Sequence, residues 1–113
     1  MELIPKPLPS RPRTIAVDVD GCLSEYTGWQ GFFHLGPPIA PVVEAVCKEK
    51  ANGTRIVIHT CRVTTFDNKV HFEAVKFLEC WLRGNGIPYD EIWLGVGKPS
   101  AEEYWDDKAV KKP

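Results

Sequence analysis

Short apolar runs alternate along this chain with longer segments in which apolar residues recur every three or four positions. The apolar runs are residues 14–19, 55–60, 90–94 and 103–105. Their length and their β-branched and aromatic content predict buried strands. Helical spacing of apolar residues covers 39–51 and 70–82, and the turn residues Gly53 and Gly84 end the two patterns. The chain therefore predicts four strands and two helices in alternation.

This alternation favours a mostly parallel sheet with helices on its faces, a Rossmann-like three-layer α/β sandwich. We expect one domain over residues 14–113, preceded by an extended arm over 1–13 that holds four prolines. The connection over 24–38 contains three glycines and two prolines and is long for an ordinary loop. Loops of this length in compact domains are often functional.

Composition narrows the class of protein. The 113 residues carry a net charge of -1, and the charges are interspersed, so no basic face recommends nucleic acid as a partner. No apolar stretch is long enough to span a membrane and the first residues lack a signal-peptide pattern, so a cytoplasmic location is expected. The four cysteines have no C-x-x-C spacing, which favours free thiols over a zinc site or disulfides.

Side chains that could take part in catalysis or bind a metal ion follow each predicted strand. Because parallel strands end at the same edge of a sheet, these side chains should meet there. They are Asp18, Asp20, Thr60, Lys98, Asp106 and Asp107. Carboxylates that converge in this way repel one another unless a cation lies among them, and all-oxygen ligation suits Mg²⁺. The sequence therefore predicts a magnesium site at the carboxyl edge of the sheet.

Phosphoryl transfer is the chemistry that this set could perform. Asp18 could attack phosphorus as a nucleophile, and Asp20, on the same side of an extended chain, could move protons to and from oxygen. Thr60 could donate a hydrogen bond to a phosphoryl oxygen, and Lys98 could offset its negative charge. Each residue also has a plainer interpretation. These are a loop-capping pair at a strand end for Asp18 with Asp20, a strand end for Thr60, a solvated surface lysine for Lys98, and a helix cap for Asp106 with Asp107.

The same residues resemble the four motifs of the haloacid dehalogenase-like (HAD) phosphohydrolases. The matching stretches are Asp18-Val19-Asp20-Gly21, Ile58-His59-Thr60, Gly97-Lys98-Pro99 and Tyr104-Trp105-Asp106-Asp107, in the family's order. The resemblance spans Thr14 to Val110. It implies a magnesium-dependent phosphatase that acts on a small phosphomonoester, a sugar phosphate or a nucleotide. It also implies Asp18 as nucleophile and Asp20 as general acid and base.

The resemblance further implies that Mg²⁺ is held by Asp18, the main-chain carbonyl of Asp20 and Asp106, with Asp107 nearby or sharing that role. Two departures from the family are evident. The gaps between motifs leave no room for a cap domain, so a minimal HAD-like core with an open site is expected. The chain also stops seven residues after Asp106. We therefore expect a bare sheet edge, or one covered by another copy in a homo-oligomer.

Residues next to the motifs are candidates for contacts with substrate. Gly21, Cys61 and Arg62 are assigned this role, with packing the alternative for Cys61 and a solvated side chain the alternative for Arg62. The aromatic residues of the 24–38 loop could shape a substrate pocket or form a small cluster that fixes the loop.

Two other functions use similar residues. A receiver domain also combines aspartates, a Thr or Ser, a Lys and magnesium, but its phosphorylated Asp ends the third strand. Here that strand ends in Leu94-Gly95, and an acidic pair follows Lys98. The second alternative is a binding module that has the fold without catalysis, against which the intact motif residues argue.

Overall fold

The structure is a computed structural model that describes residues 12–65, 67–95, 97–107 and 110–111. The strands are β1 (Thr14–Val17), β2 (Arg55–Ile58), β3 (Glu91–Ile92), β4 (Glu103–Trp105) and β5 (Val110–Lys111). The helices are α1 (Ala40–Ala51) and α2 (Phe72–Gly84), with one 3₁₀ turn at Cys61–Val63. Most of the expected N-terminal arm, residues 1–11, lies outside the described residues.

The strands form one sheet in the order β3-β2-β1-β4-β5. Strands β1 to β4 are mutually parallel, and β5 pairs antiparallel with β4. The predicted Rossmann-like α/β fold is thus confirmed. The bare edge expected beside β4 is wrong, because backbone pairing of β5 occupies it: Tyr104 pairs with Lys111 and Trp105 with Val110.

Both helices pack on one face of the sheet. Val46 of α1 and Leu78 and Leu82 of α2 share a single buried cluster with side chains of the two central strands, Ile15, Val17, Ile56 and Ile58. Successive crossovers β1-α1-β2 and β2-α2-β3 move in the same direction along the sheet. Since such crossovers are right-handed, they place their helices on the same side. Burial of these apolar side chains is the main source of the fold's stability.

An irregular segment covers the other face. Ala16 and Val57 point to that face and are each 2% exposed. Their neighbour Tyr104 donates a hydrogen bond from its hydroxyl to the Pro99 carbonyl at 2.7 Å. The indole of Trp93 donates to the Gly97 carbonyl at 3.0 Å. In the described part of the chain, the third layer is therefore a folded loop, and it brings the lysine motif against Tyr104 of β4.

Helix α2 begins later than its apolar pattern predicts. Val70 lies before the helix and pairs with Thr64 in an isolated bridge. His71 is the N-cap residue, and its Nδ1 accepts a hydrogen bond from the Ala74 N–H at 3.1 Å. Capping satisfies one of the backbone donors that the first turn of a helix leaves unpaired. The helix start is therefore set by this side chain, which the apolar spacing does not register.

Replacing His71 with alanine is expected to lower the free energy of unfolding by about 1 kcal/mol more than replacing it with asparagine. Both substitutions remove the imidazole ring, but only asparagine keeps an acceptor for the Ala74 N–H. Urea denaturation of the two variants measures the difference. Equal stabilities would show that the cap contributes nothing to α2.

Neither of the two described helices is long and apolar enough to cross a membrane. All four cysteines are free thiols, as predicted; Cys22 is buried and the other three are exposed.

Candidate functional site

Asp18 directly follows β1, at the carboxyl edge of the sheet. Its N–H still donates to the Trp105 carbonyl at 2.9 Å, so the parallel ladder with β4 holds its backbone. One carboxylate oxygen accepts the Val19 N–H at 2.7 Å. The Thr60 side chain also hydrogen-bonds to this carboxylate. Two neighbouring strands therefore fix the position and orientation of Asp18.

The electrostatic surroundings of Asp18 are strongly negative. Burial first, and then the charges of Asp20 and Asp107, raise the pKa of Asp18 from 3.8 to about 6, against the lowering effect of its two hydrogen bonds. Burial also raises the pKa of the Cys22 thiol to about 12, with contributions from the charges of Asp18, Asp106 and Asp107. Carboxylates from both ends of the chain thus act on one small region, as a cation site requires.

A cleft of about 460 Å³ brings together five of the predicted residues. Asp18, Thr60, Lys98 and Asp106 all line it, and Cys61 lies on its wall. Lys98 is exposed, and its ammonium lies 5.2 Å from the centre of the Tyr104 ring. The pKa of His59, another lining residue, is lowered by burial and by the charge of Lys98. A nucleophile, a hydroxyl, a cation and a second carboxylate therefore share one open space.

Asp20 lines a neighbouring cleft rather than this one, although its charge still acts on Asp18. The expectation that an extended chain brings it to the same side as Asp18 does not hold. The chain leaves the extended conformation at Val19: the N–H groups of Cys22 and Ser24 both donate to the Val19 carbonyl, at 3.1 and 3.0 Å. This turn rotates Asp20 into a neighbouring cleft of about 630 Å³, formed largely by the 24–38 loop. A turn cancels the two-residue alternation on which the prediction depended.

In this neighbouring cleft, Asp20 forms an ion pair with Arg62. Its Nε and one terminal nitrogen donate to the two Asp20 oxygens, each at 3.0 Å, in a bidentate ion pair. The Arg62 residue is 3% exposed. It is therefore neither the solvated side chain nor the free substrate ligand that the sequence suggested. Sequence spacing carries no signal of this pair, because the two residues are 42 positions apart.

Gly21 is required by the backbone at the first motif. Its φ is +80°, a left-handed conformation that disfavours other residues, and an added Cβ would lie 2.8 Å from the Cβ of Asp107. Its N–H donates to the Ser24 carbonyl at 2.8 Å. That donor is thus used within the turn, and the expected contact of Gly21 with substrate has no support here. The glycine instead allows Asp107 to approach the first motif.

The oxygen atoms of these residues are of the type that magnesium prefers. The four aspartates do not, however, come together as one group as expected. Among residues 12–65, 67–95 and 97–107, no three Asp, Glu, His or Cys side chains converge closely enough to hold a metal ion. The Asp20 side chain is paired with Arg62, which leaves its main-chain carbonyl as the group expected to face the metal, and Asp107 lies against Gly21. Asp18 and Asp106 remain in one cleft. Two carboxylates are a usual protein contribution to Mg²⁺, which completes its shell with water and phosphate oxygens.

The aromatic residues of the 24–38 loop fix it to the body of the protein. Phe32 packs on His71 with ring centroids 4.5 Å apart, and Phe33 packs edge-on to Phe77 of α2 at 5.9 Å. Trp29 stacks edge-on to Phe32 at 5.1 Å. These contacts agree with a small cluster that holds the loop, and they make the loop one wall of the cleft beside Asp20.

Replacing Asp18 with asparagine is expected to stabilise the metal-free protein at neutral pH. Because the folded-state pKa of about 6 exceeds the ordinary 3.8, folding becomes less favourable as pH rises through that interval and stays so above it. Asparagine does not titrate. The gain in melting temperature should therefore be negligible below pH 3.8 and reach about 5 °C above pH 6. A gain that is independent of pH in thermal melts would contradict this.

Comparison with known proteins supports the fold. No known family profile matches this chain, and no protein of curated function matches it. A crystal structure of an MCSG target from Vibrio cholerae is similar, with a TM-score of 0.61 and 27% sequence identity. The likeness covers 88% of this chain and 83% of that chain. The likeness therefore covers most of both chains and supports the fold.

Proposed function

We propose that this protein is a magnesium-dependent phosphomonoester hydrolase of the HAD-like type, which acts through an aspartyl phosphate on Asp18. The observation that supports this most is the shared cleft of Asp18, Thr60, Lys98 and Asp106 at the carboxyl edge of the sheet. The cleft is open and no cap domain covers it in the described residues. Its substrate in this proposal is a small phosphorylated metabolite, such as a sugar phosphate or a nucleotide.

In the first step, a carboxylate oxygen of Asp18 forms a bond to phosphorus while the bond from phosphorus to the leaving oxygen breaks. The hydrogen bonds from Thr60 and the Val19 N–H aim this carboxylate. The leaving oxygen takes a proton, which we assign to Asp20. Lys98 offsets the charge of the phosphoryl oxygens. Since positioning and electrostatics supply most of phosphoryl-transfer catalysis, a fixed nucleophile beside a cation suits it.

In the second step, water attacks phosphorus, the acyl phosphate bond breaks and the Asp18 carboxylate is regenerated as inorganic phosphate leaves. The proton from water goes to Asp20, which can pass it to the next leaving group. The Asp20 side chain keeps 19% of its surface exposed beside Arg62. The carboxylate is therefore still reachable from solvent while the ion pair sets its orientation.

Magnesium, held by Asp18 and Asp106, would neutralise phosphoryl charge and lower the repulsion between substrate and nucleophile. The charges of Asp20 and Asp107 support this assignment, because they add to burial in raising the pKa of Asp18 and a cation would offset them.

An assay with an aryl phosphate, with magnesium and after its removal by a chelator, tests the proposal. We expect repeated turnover that depends on magnesium. Stable phosphorylation of the protein without release of phosphate would favour a receiver-like phosphoacceptor instead. Neither phosphorylation nor turnover, on the aryl phosphate and on a panel of phosphorylated metabolites, would favour a binding module.

A further inference from the structure

Arg62 joins one carboxylate of the first motif, Asp20, to the loop that follows it. Besides its bidentate pair with Asp20, its guanidinium donates to the carbonyls of Phe32 at 3.1 Å and His34 at 3.0 Å. The ring of Trp29 lies 5.1 Å from its central carbon. Its own N–H donates to the Thr60 hydroxyl at 3.4 Å. The buried side chain of Arg62 thus contacts the first motif and the 24–38 loop, while its backbone contacts the second motif.

These contacts depend on one another for a physical reason. A buried guanidinium is costly unless charge and hydrogen bonds meet it, and removal of one partner leaves the rest unsatisfied. Asp20 supplies the charge, and the two loop carbonyls accept the remaining donors. A lysine could not replace this, since an ammonium lacks the planar fork that matches two carboxylate oxygens and two carbonyls together.

We infer that Arg62 is a positioning residue for Asp20, and that it makes the 24–38 loop part of the catalytic arrangement. Its guanidinium fixes the Asp20 carboxylate in one orientation, and the loop carbonyls fix the guanidinium. The catalytic part of this inference rests on the proposed phosphatase function. The structural part, that Asp20 and the loop are held by one shared partner, does not.

Kinetics of paired variants test the catalytic part. Alkyl phosphates need a proton on their leaving oxygen, whereas an aryl phosphate with an acidic phenol does not. Arg62→Gln should lower kcat for an alkyl phosphate by about 10- to 100-fold and affect the aryl phosphate much less, because misplacement of a catalytic group has effects of this size. In an Asp20→Asn background, Arg62→Gln should cause no further loss. An equal loss on both substrates, or one that persists in that background, would overturn the inference.

Two variants control for a general loss of structure. Arg62→Lys keeps the charge but not the fork, so it should resemble Arg62→Gln in the alkyl-to-aryl ratio while it unfolds less readily. Arg83→Gln removes an arginine whose side chain is 75% exposed on α2, and it should leave both rates unchanged.

Limited proteolysis tests the structural part whether or not the protein hydrolyses phosphate. Chymotrypsin can cut after the aromatic residues between positions 26 and 33, and mass spectrometry locates the cuts. Arg62→Gln and Asp20→Asn should each speed cleavage there by about tenfold, and the double variant should be no faster than the single ones, because both remove one shared interaction. Unchanged cleavage, or effects that multiply in the double variant, would refute the coupling. If the protein shows no turnover but the coupling is found, the proposed function and the catalytic part of the inference are overturned. The structural part then stands.

Discussion

Replacement of Asp18 by asparagine is expected to lower magnesium-dependent turnover of an aryl phosphate on the order of 10⁴-fold or more, as removal of a nucleophile does in other enzymes. The amide keeps the shape of the side chain and can still receive the Val19 N–H. It cannot form the bond to phosphorus. Steady-state assays of purified protein measure the loss.

The matched control is Asp67→Asn, the same change at a carboxylate whose side chain is 62% exposed in the loop before α2. It should retain full activity. The expected stabilisation of Asp18→Asn above pH 6 provides a further check, since it shows that lost turnover does not come from lost folding. Turnover by Asp18→Asn close to that of the unmodified protein would exclude Asp18 as the nucleophile.

Removal of the Lys98 ammonium is expected to have the second largest effect. Lys98→Met should lower kcat by about 10²- to 10³-fold, the range seen when one group that stabilises transition-state charge is removed. Among the described residues that line the Asp18 cleft, Lys98 is the only Lys or Arg. Methionine keeps much of the aliphatic length that packs near Tyr104. The rate on an aryl phosphate at saturating magnesium measures the effect.

Lys76→Met on the exposed side of α2 is the control, and it should leave kcat unchanged. A second readout locates the charge of Lys98 independently of activity. Because that charge lowers the pKa of His59, Lys98→Met should raise this pKa in an NMR titration, whereas Lys76→Met should not. A full rate in Lys98→Met together with a raised His59 pKa would mean that the lysine lies at the cleft without a role in catalysis.

Apolar spacing was sufficient to predict the order of the elements, because burial on a parallel sheet imposes a pattern on every strand and helix. Strand β4 was predicted at the residues where it occurs, and β1 and β2 to within two residues. The start of α2 was missed, since the side chain of His71 caps it. The pairing of β5 with β4 was missed as well, because a two-residue strand has no periodicity to detect.

The site was predicted in part for a similar reason. Strand direction alone brings Asp18, Thr60 and Asp106 to one edge, so their meeting follows from the topology. The orientation of Asp20 depends on the turn at Val19, shortly after β1. The two-residue alternation of side chains applies only within an extended strand, so it could not predict this orientation. The role of Arg62 depends on a contact between residues far apart in the chain. Such tertiary contacts leave no mark in a single sequence.

Trapping of the phosphorylated protein tests the central claim most directly. Borohydride reduces an aspartyl phosphate to homoserine, so protein quenched during turnover, reduced and digested should yield a peptide with homoserine at position 18 and unmodified aspartate at positions 20, 106 and 107. The conversion should require both magnesium and substrate. Active turnover with aspartate retained at position 18, or homoserine at any of the other three positions, would contradict the account.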